Sequence, residues 1–248
     1  MIYSDLHMHT VYCDGKNTPE QMVLSAIEKG LKTVGICAHA PMPFYADWCV
    51  KMEKINAFIK EVNALKEKYK DKITVLCGLE DDYFAVKTDG EFDYVIGSVH
   101  FFKVGEKYYS IDLSADALRL AVEEGFGGDA IAAARQYFSF VVEEVKKGVD
   151  VIGHFDLITK FNEVENLFDT NDPEYIKIWK DALDKLISLG KPFEVNTGAI
   201  SRGYRTSPYP AFDMIEYIKA NGGKLILSSD SHNADNIAFQ FTTWQKLL

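Results

Sequence analysis

Short apolar segments alternate with helical patterns along this chain, and that alternation restricts the fold more than any other feature. Strand-like segments fall at residues 2–6, 33–37, 73–79, 94–99, 149–152, 192–195 and 224–228. Several are near-continuous apolar runs, as expected when both faces of a parallel sheet are covered. Helical patterns fill the intervals. The first starts at Thr18-Pro19-Glu20-Gln21, with a Thr cap, Pro at the first helical position and Gln at the capping-box position, and stops at Gly30. Others cover 51–69, 115–124, 129–147, 173–189 and 211–220. About seven strands alternating with helices point to an α/β (β/α) barrel or a close relative, with an active site at the C-terminal ends of the strands.

The chain of 248 residues fits one large domain, and no repeat, low-complexity tract or Pro/Ser-rich linker divides it, so residues 1–248 read as a single unit. No apolar run approaches the ~18–20 residues that span a bilayer. The first residues lack the basic and apolar regions of a signal peptide, so a cytoplasmic protein without a membrane partner is expected. Cys13, Cys37, Cys49 and Cys77 form no CxxC pair and read as reduced thiols. A net charge of −10 argues against a nucleic-acid polymer as partner. It also means that a site for an anionic substrate needs local positive charge from metal ions or arginines.

The six histidines all fall at or just beyond the strand-like segments. His7 and His9 follow the first and His39 the second; Glu80 ends the third, His100 the fourth, and His154 follows the fifth. Asp230 and His232 follow the last. In a (β/α) barrel these positions converge on one mouth. In extended backbone, residues i and i+2 point to the same side, so His7 and His9 can grip one ion while Leu6 and Met8 face away. Asp230-Ser231-His232 repeats that spacing. Imidazole with carboxylate suits zinc, iron or manganese. A lone histidine after a strand is more often a hydrogen-bonding residue than a ligand. Here none of the six is left over for such a role.

In these motifs the chain resembles the PHP (polymerase and histidinol phosphatase) family. Asp5-Leu6-His7-Met8-His9-Thr10, then Cys13-Asp14-Gly15 and Pro19-Glu20, is similar to that family's opening motif. His39, Gly78-Leu79-Glu80, Gly97-Ser98-Val99-His100, Gly153-His154 and Ser229-Asp230-Ser231-His232 match its later motifs in order. Glu194-Val195-Asn196-Thr197-Gly198 and Arg202-Gly203-Tyr204-Arg205 bring it nearest to the monofunctional histidinol-phosphate phosphatases. The resemblance implies a distorted, TIM-like (β/α)7 barrel holding up to three divalent transition metals (zinc, iron or manganese). It implies a first ion at His7, His9, Glu80 and Asp230, and a second bridged by Glu80 and completed by His100 and His154. A third would be held by Asp14, His39 and His232. An Asp-Gly pair such as Asp14-Gly15 is also an ordinary turn. Asp5 would orient a histidine through its other ring nitrogen.

The expected reaction is hydrolysis of a small phosphate ester, L-histidinol phosphate in histidine biosynthesis, by in-line attack of a metal-bound hydroxide. Glu80, His100, Asp230 and His232 are the expected catalytic centre. Arg202, Arg205 and Lys160 are the candidate phosphate contacts, because a guanidinium binds phosphate oxygens through paired hydrogen bonds and a lysine supplies a point charge. Asp81 and Asp82 read as a solvated loop, Glu194 and Asn196 as supporting or buried residues. Tyr204 and Phe44-Tyr45-Trp48 are candidates to border the substrate's imidazole, although most aromatics are core. The nearest alternative is a phosphoesterase of the same family acting on nucleotides or phosphotyrosine. A silent metal-binding module and an amidohydrolase-like C–N hydrolase are more distant.

Overall fold

The computed structural model describes residues 4–44 and 46–248, so the start of the first expected strand at Ile2 and Tyr3, and the aromatic Tyr45, lie outside the described residues. The chain runs β1 (Ser4–Asp5), α1 (Pro19–Glu28), β2 (Thr33–His39), α2 (Ile55–Tyr69), β3 (Thr74–Asp82) and β4 (Tyr94–Ser98). It continues through β5 (Phe101–Val104), β6 (Lys107–Ser110), α3 (Ala115–Phe126), α4 (Ala130–Lys146), β7 (Val151–Ile152), α5 (Asn162–Glu165) and α6 (Pro173–Ser188). The last elements are β8 (Phe193–Asn196), α7 (Gly198–Ser201), α8 (Phe212–Ala220), β9 (Leu225–Ser228) and α9 (Phe241–Trp244). Seven strands form one parallel sheet in the order β1-β2-β3-β4-β7-β8-β9. A single parallel bridge, Met8 to Ser231, brings the two edges together, with the His9 amide donating to the Ser231 carbonyl at 2.8 Å. The sheet is thus nearly closed into a seven-stranded barrel, as expected from the strand–helix alternation.

Local chemistry sets the element ends. Thr18 caps α1 in a complete capping box with Gln21, and Pro19 occupies its first turn. Ser114, Asp129 and Asp172 cap α3, α4 and α6 through their side chains. The helix expected from residue 51 begins instead as a 3₁₀ turn, Met52–Lys54, because no side chain caps its first amides.

Inside the barrel, Leu6, Cys37, Leu76, Tyr94, Ile96, Val151 and Ile226 pack together. The Tyr94 ring crosses this layer and its hydroxyl donates to the Leu6 carbonyl at 2.5 Å. Gly35 and Gly78 make room for it, since a Cβ at either would fall on the Tyr94 ring. Helices α3, α4, α6 and α8 bury their apolar faces on one side, around Phe138, Tyr175, Trp179 and Leu183. Helices α1 and α2 cover β1–β3 with Met22, Phe58 and Val62. Apolar packing closes the bottom, so the polar residues gather at the other end.

The expected pattern lacks the one-turn helices α5, α7 and α9 and, of more consequence for the site, a hairpin. Strands β5 and β6 form an antiparallel hairpin that turns at Gly105 with φ +60° and ends at Ser110 on the cavity wall. Its signal was present in Phe101-Phe102-Lys103-Val104-Gly105-Glu106-Lys107-Tyr108-Tyr109, two aromatic runs on either side of a Gly-containing turn.

Candidate metal centre

All six histidines meet at the C-terminal end of the barrel. His7 and His9 leave β1, His39 ends β2, and His100, His154 and His232 follow β4, β7 and β9. Period-two alternation holds from His7 to His9: Met8 is fully buried in the outer core while His7 and His9 turn inward, their Nε2 atoms 3.1 Å apart. Leu6, expected to face away with Met8, packs inside the barrel instead, because strand β1 ends at Asp5 and the alternation is broken before His7. His9 stacks on His39, with ring centroids 3.9 Å apart and planes 8° from parallel. At the end of β9 the chain turns through Asp230 at φ +47°, a left-handed conformation that Asp tolerates better than most residues. That turn aims both Asp230 and His232 at the cavity.

Glu80 is the hub. Its Oε1 accepts from Ser98 Oγ at 2.8 Å, has His154 Nε2 at 3.0 Å and lies 3.5 Å from His100 Nε2. Its Oε2 has His39 Nδ1 at 2.8 Å and His7 and His9 Nε2 each at 3.2 Å. Yet none of these close contacts has the N–H···O alignment of a regular hydrogen bond. Buried polar atoms ordinarily find partners. Imidazole nitrogens crowded around an oxygen without bonding to it leave their lone pairs facing shared spaces, the arrangement a cation needs. Three groups have ligand atoms close enough to share an ion: His7, His9 and Asp230; His39, Glu80 and His100; and His9, Asp14, His39 and His232. Asp14 Oδ2 lies 3.2 Å from His232 Nε2, so it joins this ring of donors as well as forming a turn.

The charge balance is tight. Burial alone would raise the Glu80 carboxyl, but His7 and His39 outweigh it and hold it well below the usual carboxylate range. Asp230 behaves alike: burial opposes ionisation, and Arg202 and His7 more than reverse it. Burial, with His39 and His232 alongside, depresses His9 to about 3, so its imidazole is neutral and available as a ligand.

Two carboxylates support the ring from behind. Glu194 Oε1 holds His7 Nδ1 at 2.7 Å, while its Oε2 accepts from the His154 amide and from Asn196 Nδ2. Asp82 Oδ2 accepts from the His100 amide at 2.8 Å and sits 3.1 Å from its Nδ1. Each leaves Nε2 facing the cavity, which fixes tautomer and ring orientation. Asp82 therefore does not belong to a solvated loop; it is buried because the i+2 position after Glu80 turns to the same side. Asp5 does not orient a histidine ring either. It binds backbone amides, those of Ser229 and Ala238 at 3.0 Å, and ties β1 to the end of β9.

The cavity above has a volume of about 310 Å³. Arg202 lines it, with Nη1 and Nη2 bonded to the Asp230 carbonyl and carboxylate at 3.0 Å each. Lys160 also lines it, and so do Trp48 and Tyr204. Arg205 does not. Its buried guanidinium lies over the Tyr209 ring, 4.3 Å from the centroid, between Asp156 and Thr159, where it braces the loop after β8. Phe44 turns away to pack on Phe101 and Tyr108 of the hairpin. The four cysteines are free thiols, three of them buried.

A nearly closed parallel barrel with imidazoles and carboxylates converging at its mouth defines a metallohydrolase of the TIM-like type. The sequence profile of the PHP domain matches residues 5–198, and the chain belongs to the PHP domain family. It is 30% identical to a "Probable histidinol-phosphatase" of Deinococcus radiodurans, over 96% of this chain and 89% of that protein. It is 25% identical to the histidinol-phosphatase of Bacillus subtilis, over 96% of both. Among solved structures, the fold matches that of a Lactococcus lactis histidinol phosphate phosphatase complexed with zinc, L-histidinol and phosphate. The TM-score is 0.76 and identity 23%, covering 99% of this chain and 92% of the other.

Proposed function

We propose that this chain is a metal-dependent phosphomonoesterase that hydrolyses L-histidinol phosphate to L-histidinol and phosphate, a step of histidine biosynthesis. The observation that carries this reading is the unbonded Glu80 Oε2 among three imidazole nitrogens, at the floor of a cavity whose wall carries Arg202. The likeness to full-length histidinol-phosphatases selects the ester. His7, His9, Glu80 and Asp230 would hold one divalent ion, Glu80, His100 and His154 a second, and Asp14, His39 and His232 a third. Such ions supply a water of lowered pKa and neutralise phosphate oxygens.

The chain's own residues supply position and charge. Arg202 uses Nη1 on the Asp230 carbonyl and His232 Nδ1 and Nη2 on the Asp230 carboxylate, and its remaining N–H groups would donate to a phosphate oxygen. Gly198 permits this approach, since a Cβ there would lie 2.8 Å from Asp230 and 3.0 Å from Arg202 Nη2. Lys160 is the second cation facing the ester, and Trp48 and Tyr204 give the imidazole an aromatic wall. We read residues 1–248 as one catalytic unit. No helix among the described residues is long and apolar enough to cross a membrane. The free thiols fit a reducing compartment, and we read the enzyme as cytoplasmic.

The test is phosphate release by the purified protein across L-histidinol phosphate, mononucleotides and phosphotyrosine at one fixed metal concentration. Highest kcat/KM for L-histidinol phosphate is expected, with activity lost to a chelator and restored by zinc or manganese. A preference for nucleotides would overturn the choice of substrate while keeping the phosphoesterase.

A further inference from the structure

Four carboxylates line the cavity: Asp14, Glu80, Asp112 and Asp230. Three of them face imidazoles of the proposed metal sites. Asp112, in the loop between β6 and α3, contacts no imidazole. Its Oδ1 accepts from Ser110 Oγ at 3.3 Å. Lys160 Nζ donates to its carbonyl at 2.7 Å and to its Oδ2 at 3.2 Å. Lys160 is itself held over the ring of Tyr204, 4.7 Å from the centroid, and over Phe161 at 5.4 Å. Although burial opposes ionisation, Lys160 and His100 hold the Asp112 carboxyl down at about 2, so it faces the cavity as an anion.

This pair is an unexpected feature of a wall meant only for a phosphate dianion. A carboxylate beside the anion would repel it, unless the substrate also carries a cation. L-Histidinol phosphate does: an ammonium sits two carbons from the ester oxygen. A desolvated ammonium without an anionic partner is costly. Of the lining carboxylates, Asp112 alone is free of the imidazole cluster. Resting on the substrate reading above, we infer that Asp112 binds the substrate's ammonium, with Lys160 positioned between it and the phosphate. Lys160 and Asp112 then present a cation and an anion side by side, matching a phosphate and an ammonium side by side. The selected class is phosphomonoesters of β-amino alcohols. The apolar wall of Trp48, Leu113 and Leu157 is left for the imidazole.

The test compares L-histidinol phosphate with the same ester carrying hydrogen in place of the ammonium, using the zinc-loaded protein. The unsubstituted enzyme should prefer the amino ester. Asp112→Asn should lower kcat/KM for the amino ester about 10- to 100-fold, the span of a charged hydrogen bond, mainly through KM. Its loss on the des-amino ester should be at least tenfold smaller, and Asp112→Glu should recover part of the discrimination. Thermal midpoint and bound zinc, measured on both variants, separate misfolding from lost recognition; the Glu variant carries the comparison if the Asn variant unfolds. Equal losses on the two esters would overturn this inference alone. No turnover of either ester by the unsubstituted protein, with nucleotides hydrolysed, would overturn the substrate reading and this inference with it.

Discussion

The floor of the cavity and its rim are built on different principles. The floor consists of side chains at strand ends, nearly all buried, two of them held from behind by a carboxylate: His7 by Glu194, His100 by Asp82. The rim consists of loops and a hairpin, with exposed side chains such as Arg202, Tyr204 and Leu113. Strands of a closed barrel cannot shift singly without breaking ladders on both sides, so the floor suits chemistry that needs fixed geometry. Loops tolerate change, so the rim suits substrate choice. On this view, floor substitutions act on kcat and metal content, and rim substitutions act on KM and selectivity.

The strongest attempt to break that division is Glu80→Gln. Removing the charge that bridges five imidazoles should lower kcat by about 10³-fold or more, the scale of several kcal/mol of metal-based stabilisation. It should lower bound metal as well. Retained metal with near-normal kcat would refute the hub role.

The barrel wall supplies a separate measurement. Glu144 on α4 is fully buried, and its carboxyl is pushed up to about 7, chiefly by burial, with Lys147 2.7 Å away opposing. A carboxyl raised on folding stabilises the protein fully below its unfolded value of 4.5, and that contribution is lost as pH rises through 7. Stability should therefore fall between pH 5 and 8 by up to about 3 kcal/mol from this group. Glu144→Gln should flatten that slope in thermal melts while leaving selectivity between esters alone. An unchanged slope would remove Glu144 as its source.

A smaller effect is expected at the support of the floor. Glu194→Gln should weaken metal binding about 10- to 100-fold, read by chelator competition, because His7 loses the partner that orients its ring. At the rim, Tyr204→Leu removes the ring beneath Lys160 and should raise KM about two- to fivefold, the scale of an exposed cation–π contact. A larger fall in kcat than rise in KM at Tyr204 would blur the line between floor and rim.

Legibility follows the same division. Strand periodicity and the i,i+2 spacings of His7/His9 and Asp230/His232 carry the barrel and the imidazole ring, because both are local properties of extended backbone. Asp82 and Glu194 show the boundary. Their residue types were visible, but their roles depend on which histidine stands opposite across the sheet, and for Glu194 that partner lies 187 positions away. Arg205 shows it from the other side. Nothing in Arg202-Gly203-Tyr204-Arg205 distinguishes the guanidinium that faces the cavity from the one that braces a loop against Asp156.

The sequence by itself determined a parallel barrel of seven strands and a mouth rich in imidazole and carboxylate. Those features follow from periodicity and from positions relative to strand ends. Only the tertiary structure decided that the β5–β6 hairpin brings Ser110 to the cavity wall, that Asp82 and Glu194 aim two of the histidines, and that Lys160 is paired with Asp112. Each is a contact between residues far apart along the chain or in irregular backbone, where side-chain direction is set by packing and not by spacing.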